Sequence, residues 1–309
     1  MPFNQRKNHT LLILFILVIL FNASGSFAQK LSMAEAKHAG DSIIPEAILP
    51  FWQSLTLKEK AAQTLMVYMP SASYIKKHQF GGVLIMKPHL KDSLHLKEEL
   101  SLANESLKIP LLTAIDQEGG QVNRLQAISP EWKNLPSAKE MRTMTDDSVY
   151  NLAKQIGNEL HHYGINLNLA PVLDPPKDSK GKPSFIEVSN RSFGEFETAV
   201  PKIRSFVKGM KESKVLSTSK HFPGYDSWTN SDHQIAFSTS SKEIILRNVE
   251  LFKEFADEIP VIMLSSVRFV RLSNTPAVFN PKITAMAREI SPYTVLLTDD
   301  LWGVSLRAW

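Results

Sequence analysis

Pro110-Leu-Leu-Thr-Ala-Ile-Asp-Gln-Glu-Gly-Gly120 runs six uncharged, mostly apolar residues straight into two carboxylates and a pair of glycines. The run lacks strict alternation, which marks a parallel strand covered on both faces rather than a half-exposed one. Six more runs of this kind flank it: Thr64-Leu-Met-Val-Tyr-Met69, Gly81-Gly-Val-Leu-Ile-Met86, Ile165-Asn-Leu-Asn-Leu-Ala-Pro171, Val215-Leu-Ser-Thr-Ser-Lys-His221, Val261-Ile-Met-Leu-Ser-Ser266 and Thr294-Val-Leu-Leu-Thr-Asp299.

Helical stretches lie between them. Thr56-Leu57-Lys58-Glu59 has the spacing of a capping box. From Val149 to Tyr163 the apolar positions 149, 152, 153, 156, 160 and 163 share one helical face, and Gly164 follows as a stop. Asp92 is placed to cap a helix that must end before Pro110. Strands alternating with helices imply a parallel sheet with right-handed crossovers, and the expected architecture is an α/β, (β/α)8 TIM-type barrel. Seven strands are counted and the sequence stops ten residues after the seventh, at Trp309, so the eighth strand and its helices are expected to be missing.

In such a barrel the chemistry sits at the C-terminal ends of the strands. Here those ends carry Asp116-Gln-Glu-Gly-Gly120, Ala170-Pro-Val-Leu-Asp174, Lys220-His-Phe-Pro-Gly224 and Asp299-Asp300, with Asn190-Arg-Ser-Phe-Gly194 in the loop after strand four. Charge at the end of an apolar run is costly unless paired, hydrated or used. Any one of these residues is as readily a loop ion pair or a helix cap; together on one face they suggest a polar cup. Asp299 and Asp300 are neighbours, so only one is expected to face the barrel axis.

The set resembles the N-terminal catalytic domain of glycoside hydrolase family 3, in its β-N-acetylhexosaminidase branch, from about Phe51 to Leu301. Leu57-Lys-Glu-Lys-Ala-Ala-Gln63 is similar to that family's first helix, and Asp116 to Arg124 to its sugar-binding segment. Arg191-Ser-Phe-Gly194, Lys220-His-Phe-Pro-Gly224 and Thr298-Asp299-Asp300-Leu301 follow in the same order. The resemblance implies that Asp116, Arg124, Arg191, Lys220 and His221 hold the hydroxyls of a terminal sugar and that Asp299 is the nucleophile of a retaining reaction, with no metal or other cofactor. The implied partner is a carbohydrate, an N-acetylhexosamine-containing glycan or peptidoglycan fragment. A short carboxylate fixed at a strand end suits attack on an anomeric carbon, and Arg and Lys supply fixed donors to sugar oxygens.

The resemblance also implies a histidine as general acid/base on the loop after strand five, with an aspartate two residues before it. Thirteen residues beyond Lys220 stands His233, but the order here is Ser231-Asp232-His233, so Asp232 or Ser231 must hold the imidazole's tautomer. Tyr225 and Asp226 replace the histidine and glycine usual in the branch. Two other readings stay open. A metal hydrolase would use His221, Asp226, Asp232 and His233, yet no His-x-His or His-Glu-x-x-His pair exists, and His161-His162 diverge by about 100° on a helix. A degenerate sugar-binding relative, or an inactive fragment of a longer enzyme, fits the displaced dyad and the missing strand but not the retained Asp299, Arg124, Lys220 and His221.

Residues 1–28 have the pattern of a secretory signal peptide: Arg6 and Lys7, an apolar run from Leu11 to Phe21, then Ser26-Phe27-Ala28. At about 1.5 Å per residue that run is too short for a bilayer core of about 30 Å, so an exported protein, periplasmic or extracellular and without stable membrane insertion, is expected. Residues 29–50 then form a lead-in and 51–309 the barrel. The 309 residues include no cysteine, which excludes disulfides, thiolate metal sites and cysteine nucleophiles. A formal charge of +4 that falls to about +2 without Arg6 and Lys7 is too balanced to argue for nucleic acid.

Overall fold

The computed structural model describes residues 48–309 apart from 106, 292 and 308. The signal-peptide pattern of 1–28 and most of the 29–50 lead-in lie outside the described residues. At the start of the described residues Ile48 is buried in a small cluster with Trp52, Leu55 and Ile109.

In chain order the elements are α1 (Leu49–Ser54), α2 (Leu57–Gln63), β1 (Met66–Tyr68), α3 (Ala72–His78), β2 (Gly82–Ile85), α4 (Ser93–Glu105), β3 (Leu112–Ile115), α5 (Ala138–Met141) and α6 (Asp146–His162). They continue with β4 (Leu167–Asn168), α7 (Phe185–Val188), α8 (Phe196–Glu212), β5 (Leu216–Phe222), β6 (Phe237–Ser238) and α9 (Lys242–Glu254). The series closes with β7 (Val261–Leu264), β8 (Arg268–Phe269), α10 (Pro281–Ile290) and β9 (Val295–Thr298). Each of the seven expected strands forms; most are trimmed by one or two residues at an end, the fourth is reduced to Leu167–Asn168, and the fifth runs on to Phe222.

Local chemistry explains the helix starts. Thr56 and Glu59 make the capping box reciprocally, and Ser137 with Glu140 makes a second. Helix α6 begins three residues before Val149 because Thr145 caps it by accepting the Ser148 N–H. Asp92 caps α4 through the His95 N–H.

Seven strands form one parallel sheet in the order β1-β2-β3-β4-β5-β7-β9. The sheet is curled. Met66, Leu84, Ala114, Leu167, Leu216, Met263 and Leu297, contributed by all seven strands, meet in one inner cluster, and the opposite face is covered by the helices, including Ile156 and Leu160 of α6 and Phe206 and Met210 of α8. At the C-terminal rim the Tyr68 hydroxyl of β1 donates to Asp300 Oδ2, just past β9, at 2.5 Å. This is the curled parallel sheet of an α/β barrel, the expected class. Sequence periodicity did not signal β6 and β8, a two-residue parallel pair above the rim. No helix among the described residues is long and apolar enough to cross a membrane.

Candidate active site

The C-terminal ends of β3, β4, β5 and β9 gather the charged residues at one rim, and the end of β7 adds Ser266. At the centre is Lys220, with only 2% of its side chain exposed: its Nζ lies 2.8 Å from Asp116 Oδ1 and 2.6 Å from Glu118 Oε1. Glu118 in turn accepts two bonds of 2.8 Å from Arg191 Nε and Nη2, a bidentate pair. Arg124 Nη2 stands 4.0 Å from Asp116 Oδ2, and the buried Arg124 Nε has no partner among the described residues. Four of the five residues expected to meet a sugar thus form one network, linked through Glu118.

Burial alone would push the Glu118 carboxyl up, but the charges of Arg191 and Lys220 outweigh it and hold Glu118 well below the usual carboxylate range. The same balance works in reverse on the cations. Burial favours proton loss from Lys220, and Asp116 and Glu118 overcome it, so its ammonium is held above the ordinary lysine value. Arg191 is likewise raised against its burial by Glu118.

His221 is the fifth. A register shift in β5 between Lys220 and Phe222 lets two consecutive side chains serve the same rim, where a regular strand would send them to opposite faces. The Lys220–His221 and Phe222–Pro223 peptide bonds there are cis. His221 Nδ1 is 2.6 Å from Asp174 Oδ2, and Asp174 Oδ1 accepts the backbone N–H groups of His221 at 2.8 Å and Tyr225 at 2.6 Å. With Asp174 buried and accepting from Nδ1–H, Nε2 of His221 is left facing away from this anchor as the ring's remaining polar atom.

Asp299 follows β9 and is half-buried. Its Oδ2 accepts from the Ser266 hydroxyl at 2.8 Å and its Oδ1 from the Asp300 N–H at 2.9 Å. Asp300 is exposed and turns to Tyr68 instead, so the two neighbours do separate. Burial and the Asp300 hydrogen bond push the Tyr68 phenol up to about 12.

The loop after β5 carries Ser231, Asp232 and His233. Tyr225 is buried; its hydroxyl donates to Thr229 O at 2.6 Å and accepts the Ser231 N–H at 2.8 Å. Asp226 is buried too, receives a hydrogen bond from Ser240 Oγ, and is held above the usual carboxylate range by that burial. Asp232 is also raised, by partial withdrawal from water and then by the nearby Asp299 charge, with His233 opposing. No hydrogen bond joins the His233 imidazole to Asp232 or Ser231 among the described residues, so the expected dyad is present as neighbours and not as a bonded pair. The four side chains of the metal reading do not converge: His221 is bonded to Asp174 and Asp226 to Ser240, and no group of three candidate ligands is found among the described residues.

Two residues of this site were not singled out from sequence. Glu118 lies inside the quoted segment two positions past Asp116, and Asp174 ends the strand-four run; each was visible as charge after an apolar run, and neither partner was.

Residues 56–291 match the family described as glycosyl hydrolase family 3 N terminal domain. The chain is 29% identical over 207 residues to the beta-hexosaminidase of Actinobacillus pleuropneumoniae serotype 5b (strain L20), covering 63% of this chain and 57% of that protein. It is 28% identical over 238 residues to the beta-hexosaminidase of Pseudomonas aeruginosa (strain LESB58), covering 74% and 68%. Among solved structures, the glycoside hydrolase family 3 beta-N-acetylglucosaminidase from Paenibacillus sp. str. FPU-7 superposes with a TM-score of 0.71 at 28% identity, over 83% of this chain and 51% of that one. The beta-N-acetylhexosaminidase from Beutenbergia cavernae DSM 12333 shares the fold, with a TM-score of 0.71 at 24% identity over 83% and 82% of the two chains. The match to the Actinobacillus relative thus spans a little over half of that protein's length.

Proposed function

The chain belongs to glycosyl hydrolase family 3, and on that premise we propose that it is an exported glycosidase that releases terminal β-linked N-acetylhexosamine with retention of configuration. The observation that carries this reading is Asp299 beside a preassembled polar cradle, with one hydrogen bond fixing each of its carboxylate oxygens. Asp299 attacks the anomeric carbon, the bond to the leaving group breaks, and a glycosyl ester forms; water then displaces the carboxylate. Asp116, held by Lys220, accepts hydrogen bonds from sugar hydroxyls, while Arg124, with an unpartnered Nε and a long contact to Asp116, offers donors. His221 presents Nε2. Arg191 is spent mainly on Glu118, so its role is to fix the cradle.

His233 serves as acid/base, protonating the leaving group and then activating water. Asp232 is its supporting carboxylate, since its charge and that of His233 favour each other, whereas Ser231 is buried beneath the loop beside Tyr225. The beta-hexosaminidase and beta-N-acetylglucosaminidase names of the relatives support an N-acetylhexosamine-containing glycan as substrate, and the pattern of residues 1–28 supports export to the periplasm or beyond.

The test is Asp299→Asn assayed on an activated aryl β-N-acetylglucosaminide. The amide is nearly isosteric but cannot form the ester, so hydrolysis should be abolished with the fold intact. Turnover retained there and lost in Asp300→Asn would overturn the assignment. A sugar-binding relative without catalysis is the second reading, favoured by the unbonded His233; it requires that the unsubstituted chain bind N-acetylhexosamine and hydrolyse nothing.

A further inference from the structure

The segment after Asp299 folds back over the loop that carries Asp232 and His233. Ser305 N–H donates to Ser231 O at 3.0 Å and Val304 N–H to Asp232 O at 3.2 Å. The Ser305 hydroxyl is used twice, accepting the Ala236 N–H at 3.3 Å and donating to Ser266 O at 2.9 Å. Ser266 is the residue whose own hydroxyl holds Asp299 Oδ2. Ser305 is fully buried, with Leu306 buried beside it, and both lie beyond the matched stretch of 56–291.

A hydrogen-bonded path therefore runs from the loop amide, through one serine, to the strand end that fixes Asp299. Tyr225 and the β6–β8 pair hold the loop as well; what the Ser305 hydroxyl adds is the tie from the loop, at Ala236, to Ser266 behind Asp299. We propose that Ser305 is a positioning residue that keeps the Asp232-His233 loop in register with Asp299, an inference that rests on the glycosidase reading above. Reacting groups must be held within a fraction of an ångström, and a misplacement of about 1 Å can cost about a hundredfold in rate. Ser305 touches none of the cradle residues, so its effect falls on turnover and not on sugar binding.

The experiment compares Ser305→Ala and Ser305→Cys with the unsubstituted chain. Cys has the same shape with a slightly bulkier terminal atom and gives up most of the hydrogen bonding, and it carries the comparison if the Ala variant does not fold. In both, kcat on an aryl β-N-acetylhexosaminide should fall by roughly tenfold to a hundredfold with KM within about twofold, and amide exchange at Ala236 and Asp300 should accelerate. An unchanged kcat, a rise in KM at constant kcat, or full activity in Ser305→Cys would overturn the proposal. If the unsubstituted chain hydrolyses no hexosaminide, the proposed function fails, and the exchange measurement still decides the link: amides at Ala236 and Asp300 that are no faster in either variant overturn it.

Discussion

Glu118→Gln keeps the shape of a side chain on which two buried cations depend. Glu118 accepts two 2.8 Å bonds from Arg191 and lies 2.6 Å from Lys220, with 5% of its side chain exposed. After the substitution Lys220 retains Asp116 at 2.8 Å, whereas Arg191 has no other ion pair among the described residues. Breaking one member of a buried pair costs about 3–5 kcal/mol because the remaining charge is uncompensated. Arg191 keeps 17% exposure, so water recovers part of that loss and the lower end, about 3 kcal/mol, is expected. For a chain of this size that corresponds to a Tm lower by about 6–12 °C. The sign with pH is fixed by the depressed folded-state value. An unfolded glutamate titrates near 4.3, so the stabilisation is complete above about pH 5 and is lost as pH falls through the unfolded value toward the folded one. Thermal and urea unfolding between pH 7 and pH 3 should therefore show the largest gap between the two proteins at neutral pH, shrinking on acidification. A gap below about 1 kcal/mol at pH 7, or one that does not narrow in acid, would refute the reasoning.

His233→Ala should lose more activity on substrates with poor leaving groups than on activated aryl ones, since only the former need protonation in the first step; equal losses on both would remove His233 as the acid. Asp232→Ala should reproduce part of that selectivity and Ser231→Ala none of it, as steady-state kinetics on paired leaving groups will show. At Gly209, in the contact between α6 and α8, an added Cβ would lie 2.6 Å from the Tyr150 carbonyl oxygen and 2.8 Å from both Ala153 Cβ and Lys154 N. Gly209→Ala should accordingly destabilise the chain by about 1–3 kcal/mol in urea unfolding without altering the leaving-group dependence.

The strands were legible because their residues are apolar on both faces, and helices α2 and α4 because their caps are local: Thr56 needs only Glu59, and Asp92 only His95, each three residues away. The order of charged strand ends was legible for the same reason, each being a change of polarity along the chain. Pairing was not. Glu118 meets Arg191 and Lys220 only once β3, the loop after β4 and β5 are side by side, and nothing near Glu118 in sequence announces it. The strands β6 and β8 are two residues each, too short to leave a period. The tail from Leu301 to Trp309 reads as a departure from the family pattern, yet Ser305 and Leu306 are buried; the tail is held by backbone hydrogen bonds and by one serine hydroxyl, and neither leaves a pattern along the chain.

The hydrogen bonds of the rim also span long stretches of chain. Arg191 and Glu118 are 73 residues apart, Lys220 and Asp116 are 104 apart, and Tyr68 and Asp300 are 232 apart. During synthesis a chain extended only through α8 holds Glu118 and Arg191 but lacks Lys220, and its Tyr68 has no acceptor at Asp300. Closing such long loops is slow and earns nothing until the last partner arrives. The rim is therefore completed in stages: Asp116 has no ammonium partner until β5 delivers Lys220, and Tyr68 must wait until the chain beyond β9 has been made.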